Sequence, residues 1–195
     1  MALTGKTINE LPEITGITPD TEFVVEQSGT TYKVKAGNIH TGNLFGSFIS
    51  TNNQSITGTT QESYVMIVDE TIYSQGVSVV DGSKFTVASG GTFNLQFSAQ
   101  LDRTSGDTGS TITIWIRKNG VDVESSAGEI FAGPGAFVAK QLPSWNFVET
   151  MNAGDYLELV WAANNPYVIL RSYLPKLSPP IAPGTPSIAV TITQI

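Results

Sequence analysis

Cysteine is absent from this chain of 195 residues. Disulfides, zinc–thiolate sites and cysteine nucleophiles are excluded together. A small domain without such staples must be held by core burial or by association with other chains. Charge is scarce as well: 14% of residues are charged, against about a quarter in an ordinary soluble domain. Ten Lys and Arg face seventeen Asp and Glu, for a net charge of -7, and no segment gathers the basic residues. Phosphate neutralisation needs clustered Lys and Arg, so no nucleic-acid partner is expected. The single histidine, His40, falls in a Gly/Asn-rich stretch where nothing would tune a general base. No apolar run approaches the ~20 residues of a membrane span. The first residues lack an apolar stretch behind a basic head, so the expectation is a soluble chain made in a cytoplasm, with no membrane partner.

What the sequence does contain is short alternating strands. The hydrophobic fraction of 40% supports a real core, and 19 glycines supply turns. In Gly91–Leu101, Phe93, Leu95, Phe97 and Ala99 share one face while Asn94, Gln96 and Ser98 share the other. Ile112, Ile114 and Ile116 repeat the device, as do Ile188, Val190 and Ile192. Further strand-like runs are 62–68, 77–80, 84–87, 121–123, 135–142, 144–151, 156–162 and 168–173, punctuated by Asp81-Gly82, Asn119-Gly120 and Ala153-Gly154-Asp155. Period-two alternation broken by Gly turns predicts an all-β fold, an antiparallel two-sheet sandwich over residues 46–195.

Two strands break the one-sided pattern. Tyr156, Glu158 and Val160 alternate with Leu157, Leu159 and Trp161, so both faces carry large apolar groups. Trp145 and Phe147 oppose Val148 in the same way. Such a strand is central in a thick core, covered by a loop, or covered by a second subunit. The last reading makes Trp145, Phe147, Tyr156 and Trp161 a candidate homotrimer interface.

Residues 1–45 read differently. Glu22–Glu26 and Thr31–Val34 flank Gln27-Ser28-Gly29-Thr30, a hairpin signal. A lone hairpin is marginal in water, so this small N-terminal module is expected to order against a partner. Phe23, Val25, Tyr32 and Val34 are its candidate docking residues.

Several of these segments resemble known families. Phe85-Thr86-Val87, Gly91-Thr92-Phe93-Asn94-Leu95-Gln96-Phe97, Lys118-Asn119-Gly120 and Met151 to Leu159 resemble the strand words of the complement-globular-head and tumour-necrosis-factor jelly rolls. Ser98 to Asp102, Ile114 to Gly120, Trp145-Asn146-Phe147 and Ala153-Gly154-Asp155-Tyr156 are similar to a C-terminal domain of phage structural proteins. Leu3 to Pro12 with Gly29 to Val34 is similar to the N-terminal module of phage tail-fibre and virion proteins. The resemblances imply a jelly-roll homotrimer located on the virion of a tailed bacteriophage, without catalysis or cofactor. Its partners would be other capsid or tail proteins, as a capsid decoration protein or a short head or tail fibre.

Other chemistries are weighed beside this. No Gly-x-Ser-x-Gly elbow, P-loop or His-Glu-x-x-His motif occurs. A carboxylate pair for glycoside hydrolysis would have to come from Asp69, Glu70, Glu149, Asp155 and Glu158, residues that also suit strand ends and turns. Asp102 and Asp107 bracket a Ser/Thr/Gly loop with hard-cation oxygens, but Arg103 competes and the ligand rhythm of a calcium loop is missing. A solvated loop without metal is expected. Gly128 to Gly135 reads as a flexible segment with an Ile130-Phe131 contact patch, and Pro175 to Pro186 as a stiff connector to the last strand. Trp115 and Tyr167 are the candidate sugar-stacking residues of the alternative function, a head that binds host-surface glycans.

Overall fold

The computed structural model describes residues 20–35, 43–57, 62–105, 109–133 and 139–195. The chain divides into two units, Met1–Gly42 and Asn43–Ile195. The boundary therefore falls slightly before the expected residue 45. Leu44 is fully buried in the second unit and its carbonyl accepts from the Gln194 amide at 2.7 Å. All described regular structure is strand, and every pairing is antiparallel.

The first unit contains β1 (Glu22–Gln27) and β2 (Thr30–Lys35), paired in register from Glu22 with Lys35 to Gln27 with Thr30. Ser28 and Gly29 both have positive φ, 53° and 76°. That is the geometry of a two-residue turn matched to strand twist, and glycine enters it without a Cβ penalty.

The second unit begins with β3 (Phe45–Ser50), β4 (Gln54–Ser55), β5 (Tyr64–Val65), β6 (Glu70–Gln75), β7 (Val77–Val80) and β8 (Lys84–Val87). It continues with β9 (Gly91–Ala99), β10 (Leu101–Arg103), β11 (Ser110–Lys118), β12 (Val121–Asp122), β13 (Gly128–Ala132) and β14 (Ala139–Gln141). The last four are β15 (Ser144–Met151), β16 (Tyr156–Ala163), β17 (Val168–Leu170) and β18 (Ile188–Gln194).

These strands form open sheets, none closed into a barrel. One has the order β15-β9-β18-β3-β6; another runs β12-β11-β16-β8-β7, with β13 on β11 and β5 on β16; a smaller one runs β14-β10-β17-β4. The buried side chains of all three join one core. Phe48, Leu95, Phe97, Val190 and Ile192 enter from the first sheet, and Phe85, Ile114, Ile116, Leu159 and Trp161 from the second. The Phe48 and Phe85 rings meet across it with centroids 5.5 Å apart. Each such side chain removed from water stabilises the fold by roughly 1.5–3 kcal/mol.

Several expectations are corrected. Gly128–Ala132 is not a loop: it pairs with β11 from Ser110 to Ile114, with Ile130 packed on the core and Phe131 exposed. The run 91–101 is two strands, because the chain leaves β9 at Gln100 and changes sheet. Only Tyr64–Val65 of 62–68 pairs as strand, and of 135–142 the described part is Ala139–Gln141. β3 and β6 were not anticipated. β6 is an exposed edge whose register shifts where Ser47 and Phe48 oppose Tyr73 and Thr71, a bulge that disfavours edge-to-edge pairing.

Candidate interaction surfaces

On the hairpin, Phe23 pairs with Val34 and Val25 with Tyr32. Directly paired residues and their i±2 neighbours point to the same side of a ribbon. The four expected docking residues therefore share one face, with Val25 and Tyr32 exposed. The opposite face is polar at its base, where Lys33 Nζ lies 2.6 Å from Glu22 Oε1, yet it also exposes Val24.

The four residues expected at a trimer interface do not come together. Trp145 and Phe147 lie on β15, and Tyr156 and Trp161 on β16 of another sheet. Trp161 is 1% exposed and belongs to the core of its own chain, 6.3 Å from the Tyr64 ring. It has no surface left for a second subunit. Tyr156 sits on the opposite side of β16, under the Lys84 ammonium at 5.5 Å. The other residues of that side need no second subunit to be covered: Val160 stands between Trp115 and Val65 as cross-strand partners, and Glu158 accepts from Ser83 Oγ at 2.9 Å.

Trp145 and Phe147 remain a surface feature. Both are half-buried against Phe97, whose ring is 4.7 Å from Trp145 and stacked at 6.2 Å on Phe147. With Ser125 to Glu129 they line an open groove of about 480 Å³. Gly128 leaves room for the indole there, since a Cβ would come within 3.1 Å of the ring. Asn146 and Glu129, both exposed, add polar groups to the aromatic wall. Of the two expected sugar-stacking residues, Tyr167 is exposed, whereas Trp115 is half-buried and donates its Nε1–H to Asp122 Oδ1 at 2.8 Å.

The carboxylates weighed for catalysis are dispersed in structural roles. Asp69 accepts from the Thr51 amide at 2.9 Å and from the Asn52 side chain. Asp155 accepts from the Asn152 amide at 2.8 Å and the Asn119 side chain at 2.9 Å. These two bonds, the Asn152 amide first, hold its carboxyl below its usual range. Glu149 is half-buried on β15, and Glu70 is exposed on β6. Among the described residues, no three His, Cys, Asp or Glu side chains gather as metal ligands. His40 and Asp107 lie outside the described residues.

Asp102 departs most from expectation. It is 3% exposed on β10, not in a solvated loop. Its Oδ2 lies 3.1 Å from Arg171 Nε and accepts the Tyr173 hydroxyl. Lys140 Nζ stands 4.1 Å from the centre of the Tyr173 ring. Tyr173 chiefly, with the Asp102 charge adding, raises the Lys140 ammonium above its usual range.

This cluster anchors the proline-rich segment, which is an arm and not a simple connector. Tyr173 bridges Thr185 and Lys176 bridges Ala182, each with two backbone hydrogen bonds. Leu174, Leu177 and Ile181 are 88%, 88% and 77% exposed on it. At its root, Ile49, Thr51, Leu174, Pro175 and Pro186 help line a second groove of about 460 Å³.

Compared with known proteins, the sequence matches no family model and no curated protein.

Proposed function

We propose that the chain is a non-enzymatic structural protein of a tailed-phage particle. Its β unit is a jelly-roll sandwich that associates as a homotrimer, and its hairpin attaches it to capsid or tail, as a decoration protein or short fibre. The observation that carries this reading is the division of labour between the units. Residues 43–195 bury a complete core of their own, while the hairpin places Phe23, Val25, Tyr32 and Val34 on one face. A ribbon of that kind gains stability by covering its apolar face and strand edges with a partner. The sandwich reading draws on the way the chain passes between two sheets that share one core: β7 and β8 in one, β9 in the other, then β11, β15, β16 and β18 in alternation. The virion setting draws on the resemblances of residues 3–12, 29–34 and the strand words of the β unit. Light scattering on the purified chain tests association: three times 20.8 kDa is expected, and a monomer at micromolar concentration would refute the trimer.

One observation favours a second reading, a head that recognises host-surface glycans. The Trp145–Phe147 groove joins an aromatic wall to Asn146 and Glu129, and its volume lies within the roughly 300–1,000 Å³ of ligand sites. Saturable binding of host polysaccharide that Trp145→Ala abolishes would favour it.

A further inference from the structure

Asn119-Gly120 is the one Asn-Gly pair in the sequence, and it turns β11 into β12 with φ of 51° and 81°. Such pairs suit a two-residue turn because both residues accept positive φ. They also carry a chemical liability. The backbone nitrogen that follows an asparagine attacks the asparagine's side-chain carbonyl carbon, and a glycine there puts no side chain in the way. A new C–N bond closes a five-membered succinimide, and ammonia leaves with the proton of the attacking amide. Water then opens the ring to aspartate or isoaspartate. Asn119 and Gly120 are both exposed to that water.

The turn between β15 and β16 holds this side chain at both ends. Asn119 Nδ2 donates to Asp155 Oδ1 at 2.9 Å, and Asn119 Oδ1 accepts from the Tyr156 amide at 3.0 Å. The Asn119 amide donates in return to the Tyr156 carbonyl at 3.1 Å. Asp155 is itself fixed: its Oδ2 accepts from the Asn152 amide at 2.8 Å, and its own amide donates to the Asn152 carbonyl at 3.0 Å. Closing the ring swings the Asn119 amide toward Gly120 and expels the nitrogen that Asp155 holds. Both side-chain bonds must break first, so the reaction proceeds only from the small fraction of molecules in which this joint is open.

The product would not close the joint again. Aspartate at position 119 replaces the Nδ2 donor by a carboxylate oxygen facing Asp155, and like charges at that separation repel. Lys118, whose Nζ lies 4.0 Å from Asp155 and donates to the Thr150 carbonyl, leaves one ammonium for two carboxylates.

We propose that Asn119 is a deamidation site latched by Asp155 and the Tyr156 amide. The closed joint between the two turns keeps the reaction slow, and the reaction, once complete, leaves the joint open. The modification is one-way, and it dates each molecule by how long its β15–β16 turn has spent released.

The test follows the full chain at mildly alkaline pH, with the peptide around position 119 mapped by mass for conversion of amide to acid. Asp155→Ala should react roughly ten- to a hundredfold faster than wild type, the span that one hydrogen bond to a charged group represents. Asp155→Asn keeps an acceptor without the charge; it should fall between the two, and it serves where the alanine variant does not fold. Ile112→Val lowers stability in the core without touching either turn, and it should stay near the wild-type rate. Wild type should also react more slowly when folded than in urea. Equal rates in wild type and the Asp155 variants, an Ile112→Val rate matching theirs, or a folded rate equal to that in urea would each overturn the latch.

Discussion

The Arg171 guanidinium lies 3.1 Å from the carboxylate of Asp102, and this pair fixes the start of the arm to β10. Truncating one partner of a buried ion pair strands the other, at roughly 3–5 kcal/mol when both are fully buried. Arg171 keeps a third of its side chain in water, so Asp102→Ala is expected to cost about 1–3 kcal/mol, the range for an unsatisfied polar group. Urea unfolding checks this, and Asp102→Ala with Arg171→Met should recover part of the loss. Because Asp102 is committed to Arg171 and Tyr173, a chelator should leave the wild-type melting temperature unchanged.

Acid sensitivity is expected to centre on Asp155 and Asp122. Both carboxyls are held below their ordinary 3.8, Asp155 by the Asn152 amide and the Asn119 side chain, Asp122 by Trp115 and Arg117. A depressed carboxyl contributes stability that is fully present above the ordinary value and is lost as pH falls through the lower, folded one. The melting temperature should hold steady down to about pH 5 and fall below pH ~4. Asp155→Asn should lower the neutral melting temperature and flatten the acid limb. An acid limb as steep as that of wild type would contradict the assignment.

Trp161 tests where the core ends. With 1% of its surface exposed, Trp161→Ala should reduce the unfolding free energy by roughly 3–5 kcal/mol, and Trp161→Glu should unfold the chain rather than release folded monomers. Folded monomers from Trp161→Glu would return this residue to an interface.

Much of this fold was readable from alternation and turn chemistry. Phe93, Leu95, Phe97 and Ala99 do face the core, and Asn119-Gly120 does turn β11 into β12 with both φ positive. The hairpin was recognisable from its Gly-containing turn, and the pairing of Phe23 with Val34 and of Val25 with Tyr32 follows from that two-residue turn. β3 escaped notice since Gly46 and Ser50 occupy inward positions beside Phe48, which dilutes the hydrophobic signal. Asp102 looked like a loop residue because its neutralising partners, Arg171 and Tyr173, are some seventy positions away. Both apolar faces of 156–162 were read correctly as covered, but the cover comes from within the chain. The arm was hidden for a related reason: its order rests on bridges between Tyr173 and Thr185 and between Lys176 and Ala182 that proline-rich text does not announce.

The most direct measurement of the central claim is particle binding by the chain with and without its hairpin unit. Among the described residues, none of 20–35 belongs to the core cluster, so the chain without residues 1–42 should keep its melting transition and its oligomeric mass. Labelled full-length protein and the deletion are each added to tailed-phage particles that lack this protein, and the particles are recovered by sedimentation. A docking role for the hairpin requires that full-length protein sediments with the particles and that the folded deletion stays in the supernatant. Equal decoration by both forms, or no decoration by either, would contradict it.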